Sequence, residues 1–174
     1  MTSVAACSSA EFLVLLWFLV MAPIIVAEVF RSPMVDYRVV ALGATAPLLE
    51  AATGGPSLAH TLLGAAGMLA VVMAVTQGRR LVRRRLLGVP IGMLLHLVLD
   101  GTWANRDLLW WPVFGSSFGD EQIPEFSRSW VVGLCLEGVA VVAAFWAYRR
   151  YGLDNSENRA RLVSTGQLNR EVLQ

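Results

Sequence analysis

The stretch Leu58–Gln77, LAHTLLGAAGMLAVVMAVTQ, followed at once by Gly78–Arg85, GRRLVRRR, decides how this chain is read. Its first part runs 20 residues without a charge, and about 20 apolar residues carry an α-helix across the hydrocarbon core of a bilayer. Its second part packs five arginines into eight residues. Short loops rich in positive charge stay on the cytoplasmic side of a membrane, so the stretch reads as a span whose C-terminal end lies inside.

Working outward, three further runs fit the same template. Phe12–Ala27 is uncharged, Ser129–Tyr148 carries only Glu137, and Leu86–Asn105 reaches Asp100 after fourteen uncharged residues. Arg149 and Arg150 close the last run as Arg79–Arg85 close the second. The pattern predicts an all-α membrane protein with four transmembrane helices and both termini inside (N-in/C-in). Residues 1–151 form the four-helix transmembrane domain. Residues 152–174 are a polar cytoplasmic tail without a sustained apolar face, either mobile or a short helix. No basic residue precedes Arg31, so the N-terminal run reads as a retained span and not a secretory signal.

Composition supports this class. Of 174 residues 56% are hydrophobic and only 16% charged, well outside the range of ordinary soluble domains. A net charge of +1 lacks the basic excess that tracking a phosphate backbone requires, which excludes nucleic acid as a main partner. All 14 basic residues are arginine. Cys7 and Cys135 have neither disulfide-framework nor metal-ligand spacing and read as small hydrophobes.

With both termini inside, residues 29–57 and 106–128 fall outside, and the acids Glu28, Asp36, Glu50, Asp100, Asp107, Asp120, Glu121 and Glu125 gather at the outer surface. The segment Asp36–Glu50 is too short to cross and contains Pro47, so it reads as an interfacial or re-entrant helix. Thr53–Ser57 then turns the chain into the next span, which brings Glu50 toward His60.

His96 and Asp100 are four residues apart, so on a helix they project from one face. An imidazole and a carboxylate so placed can ligate a divalent metal, or can bond each other and stabilise the helix. His60 and Glu50 at the same depth favour the metal reading, since ionisable groups inside a membrane are costly and are usually paired or functional. Glu137, two turns into the last span with Gly133 and Gly138 nearby, faces the bundle as a catalytic carboxylate or as an interhelical partner. Glu28 is the other candidate for the catalytic carboxylate. Trp110 and Trp111 suit a headgroup layer.

The succession Asp36-Tyr37-Arg38, Leu42-Gly43-Ala44, Pro47-Leu48-Leu49-Glu50, Ala59-His60-Thr61-Leu62-Leu63, His96-Leu97-Val98-Leu99-Asp100-Gly101 and Leu109-Trp110-Trp111-Pro112 resembles the YdjM-like family of bacterial membrane-bound metal-dependent hydrolases. The resemblance covers about residues 36–115. It implies a place in the bacterial inner (cell) membrane and a divalent-metal site, zinc by its donor set, on Glu50, His60, His96 and Asp100. The family's acidic residue directly after the proline is Leu48 here. Two functions follow as expectations. One is a metal-dependent hydrolase acting at the outer leaflet on a membrane lipid or lipid-linked substrate, with Glu137 or Glu28 as general base. The other is a non-catalytic membrane subunit or partner-binding scaffold with the same fold, which Leu48 favours.

Overall fold

The structure is a computed structural model that describes residues 14–51, 58–113 and 129–173. Among these every regular element is helical. Nine α-helices follow in order: α1 Leu15–Phe30, α2 Tyr37–Thr45, α3 Leu48–Ala51, α4 Leu62–Val75, α5 Arg80–Leu86, α6 Gly88–Asp100, α7 Arg106–Leu109, α8 Trp130–Arg150 and α9 Ser156–Thr165. By length and composition α8 can cross a membrane, while α1 and α4 are apolar but shorter.

Small residues set the packing. On α8 the buried positions are Gly133, Ala140 and Ala147, a seam repeating every seven residues that lets α1 approach closely. The remaining faces of α8 expose Val132, Leu134, Val142 and Phe145, and α4 exposes Leu69, Val71 and Val75. At the centre α2 crosses α6 backbone to backbone. A Cβ on Gly92 would lie 2.3 Å from the Val40 carbonyl oxygen, and one on Gly43 would lie 2.3 Å from that of Val89. Only glycine permits that approach.

Pairwise contacts fix the helix directions. Trp17 meets Glu137 through its backbone N–H at 3.3 Å, while Glu28 accepts from the Tyr151 hydroxyl at 3.0 Å. Positions therefore increase together along α1 and α8, and the two helices are parallel. Residues 39–44 of α2 likewise meet residues 88–96 of α6 in ascending order. Helix α1 runs opposite to both, because Phe18 near its start stacks on His96 near the end of α6.

The segment read as an interfacial or re-entrant helix packs inside the bundle beside α6, with Val39 and Val40 against Gly88 and the Ala44 carbonyl on His96. Among the described residues α1 and α8 run one way and α2 and α6 the other.

The tail is the short helix of the two states its composition allows, and it docks. Leu168 and Leu173 are buried in the same core as Phe18, Val40 and Tyr151. Gly166, at φ 72°, ends α9 and passes its carbonyl to the Tyr37 N–H at 2.7 Å. A Cβ there would run into the Asp36 carboxylate. Arg38 ties the junction together, pairing with Asp36 at 3.2 Å and donating to the Val163 carbonyl.

Candidate functional site

Four segments converge at the end opposite the arginines. His60 closes a 3-10 turn, Leu58–His60, and is fully buried. Thr61 locks that turn to α4: its hydroxyl donates to the Leu58 carbonyl at 2.8 Å and accepts from the Gly64 N–H at 2.9 Å. This is an N-cap that satisfies one of the orphan donors at the start of α4.

His96 is also fully buried. Its Nδ1 lies 2.7 Å from the Ala44 carbonyl oxygen. A carbonyl can only accept, so Nδ1 carries the proton, and in the neutral ring the lone pair sits on Nε2. On one side the imidazole stacks against Phe18, centroids 4.1 Å apart. On another it meets His60 edge to face, centroids 5.3 Å apart at 79°.

Asp100, one turn further along α6, is fully buried and accepts from the Thr102 hydroxyl through Oδ2 at 2.8 Å. The reach back is possible because Gly101 adopts φ 80° and ends the helix there. Beside this end, Leu62, Leu63, Ala66, Leu109, Trp110 and Pro112 line an apolar cavity of about 230 Å³.

The structure thus brings His60 and His96 together and puts Asp100 in the same buried end of the bundle. Among the described residues no three His, Cys, Asp or Glu side chains form a group that could hold a metal ion. Glu50 lies in α3, and its side chain falls outside the described residues, as do Asp120, Glu121, Glu125 and Cys7.

The two catalytic candidates separate. Glu137 stays at the histidine end, where its carboxylate accepts from the Trp17 N–H. Val14, the N-cap of α1, makes no side-chain cap bond, so Glu137 of α8 caps α1 from a neighbouring helix. The Trp17 indole reaches on to the Leu99 carbonyl at 3.4 Å. Glu28 does not join the site. It lies eleven residues further along α1, roughly 16 Å away at 1.5 Å per residue, and bonds Tyr151 at the arginine end. It stands at the end of the bundle opposite Asp100, because α1 runs opposite to α6. Burial pushes the Tyr151 hydroxyl well above its ordinary range, and the bond to Glu28 with its nearby negative charge pushes the same way.

Three contributors were not anticipated: Thr102, Phe18 and the Ala44 carbonyl. Only Thr102 had a signal, its place directly after Asp100-Gly101. No family model, no curated protein and no solved structure matches the chain.

Proposed function

We propose that the chain is a multi-pass protein of the bacterial inner membrane whose histidine end faces outside, and that it is a metal-dependent hydrolase of the YdjM-like kind. The membrane reading is supported by apolar faces on α4 and α8 that point away from the protein, a pattern that suits lipid and not water. Arginines Arg79–Arg85 and Arg149–Arg150 at the other end set the cytoplasmic side. Read as five alternating passes, α1, α2 with α3, α4, α6 and α8, in place of four spans with both termini inside, the chain starts α1 outside and carries α9 inside.

The metal reading is carried by the two histidines. Imidazoles on one tetrahedral zinc, each nitrogen about 2.0–2.1 Å from the ion, hold their ring centroids roughly 5 Å apart. The rings of His60 and His96 stand 5.3 Å apart. The Nδ1 bond to a backbone carbonyl is also the outer support that metal-ligating histidines use to fix tautomer and ring direction. His60 and His96 would supply nitrogen, and Glu50 and Asp100 oxygen, a donor set that suits zinc. A bound divalent ion would lower the pKa of a water and polarise the scissile group. Thr102 orients the Asp100 carboxylate and Phe18 and Ala44 hold His96 in place, and Glu137, at the same end of the bundle, would accept the proton. The adjoining apolar cavity fits the chain of a lipid or lipid-linked substrate.

A second reading, a non-catalytic scaffold, is favoured by Leu48 and by Glu137 acting as a helix cap. Edge-to-face aromatic pairs also stand 4.5–7 Å apart without any ion, as a rule of thumb of roughly that range. Proteoliposomes containing phospholipid or a polyprenyl phosphate separate the readings. Release of a water-soluble headgroup or phosphate that chelator abolishes and His60→Ala eliminates supports the hydrolase. No release from metal-loaded protein supports the scaffold.

A further inference from the structure

Helix α5 carries a surface that neither the packing nor the candidate site uses. None of its residues is buried. Arg80, Arg84 and Arg85 are exposed, and Leu81 among them is 74% exposed. At about 100° per residue, Arg80, Arg84, Leu81 and Arg85 occupy roughly 140° of the helix circumference. One face therefore presents an apolar side chain flanked by three guanidiniums. Among the described residues no carboxylate pairs with any of them; the ion pair formed elsewhere is Arg38 with Asp36.

Orientation by positive charge accounts for the arginines but leaves Leu81 without a role. A headgroup layer accounts for both. Guanidinium groups bind phosphate oxygens bidentately, and an apolar side chain between them reaches the boundary of the acyl chains. Position agrees, since α5 links the end of apolar α4 to the start of α6. Five arginines in seven residues also match the density at which short basic segments beside a span recognise anionic lipids.

We infer that α5 docks anionic phospholipid headgroups of the cytoplasmic leaflet, with Arg80, Arg84 and Arg85 on phosphates and Leu81 at the acyl boundary. The inference rests on the membrane-crossing reading and is independent of the hydrolase. A soluble polyanion could satisfy the arginines, but it would leave Leu81 in water.

The test uses the full chain with Cys7→Ser, Cys135→Ser and Leu81→Cys, labelled at the new thiol with an environment-sensitive fluorophore and reconstituted into vesicles. Vesicles of phosphatidylcholine with a third phosphatidylglycerol should blue-shift the label and expose it to a lipid-borne quencher, while phosphatidylcholine alone should not. Adding Arg80→Gln, Arg84→Gln and Arg85→Gln should weaken the effect at least about tenfold in the phosphatidylglycerol fraction needed, given three lost phosphate contacts. Equal shifts in both lipids, no shift in either, or a shift that survives the triple substitution would overturn the inference. So would a label that responds to an RNA homopolymer and not to phosphatidylglycerol. Failure of the protein to enter vesicles at all would overturn the membrane reading with it.

Discussion

The Nδ1 atom of His96 donates to the carbonyl oxygen of Ala44 across 2.7 Å, and through that bond the packing of α2 on α6 determines which nitrogen of His96 faces the candidate site. The contact exists because Gly43 and Gly92 let the two backbones touch. Site and scaffold are therefore coupled at one point.

A substitution at that crossing should unfold the bundle. Gly92→Ala places a Cβ 2.3 Å from the Val40 carbonyl oxygen, a backbone atom that cannot step aside. The cost should exceed the about 1–3 kcal/mol typical of overpacking. Gly67→Ala and Gly138→Ala meet nothing within 4 Å and should be neutral or stabilise by up to about 1 kcal/mol through helix propensity. Thermal unfolding in detergent compares the three.

The parallel arrangement of α1 and α8 has a direct readout in thiol accessibility. With Cys7 and Cys135 replaced, Ser32→Cys and Arg80→Cys should both resist an impermeant reagent applied from outside, and Ala104→Cys should react. A reactive Ser32→Cys beside a protected Arg80→Cys would contradict the five-pass reading and support four spans with an interfacial segment.

Glu137 should behave as a cap in stability measurements. Glu137→Ala removes the acceptor for the first turn of α1 and should cost about 1–2 kcal/mol, whereas Glu137→Gln keeps an oxygen and should cost less. If Glu137 is also the general base, Glu137→Gln abolishes turnover while metal content is unchanged.

Stability through Tyr151 should be insensitive to pH over the physiological range. The hydroxyl is raised by burial first and by Glu28 second. A group raised in the folded state contributes fully below its unfolded value, about 10 for tyrosine, and loses that contribution only as pH climbs through the higher folded value. Tyr151→Phe should cost about 1–2 kcal/mol near neutrality, and that difference should hold from pH 6 to 9, a range of about three units below the tyrosine transition.

The helical class and the shared face of His96 and Asp100 were legible because they depend on local patterns. Apolar runs of a given length announce helices, and a four-residue spacing puts His96 and Asp100 on one face. The passage of α2 through the bundle was not legible from length, since nine residues are too few to span lipid. The available signal was the small residues Gly43, Gly88 and Gly92, which mark a helix crossing and not a surface segment. Ala44 and Phe18 contribute a backbone oxygen and a ring face from distant parts of the chain, and no spacing rule announces either. Glu28 lies apart from the histidines because α1 runs opposite to α6, a direction that no local pattern announces.

Metal content tests the central claim most directly. The full chain, purified without chelator, should contain about one divalent ion per molecule, zinc by preference. His96→Asn keeps hydrogen-bonding capacity but ligates zinc poorly; it and, separately, Asp100→Asn should each lose that ion while folding and inserting normally. A parent protein without metal, or both variants retaining a full complement, would contradict the account and leave the buried histidines as a structural pair.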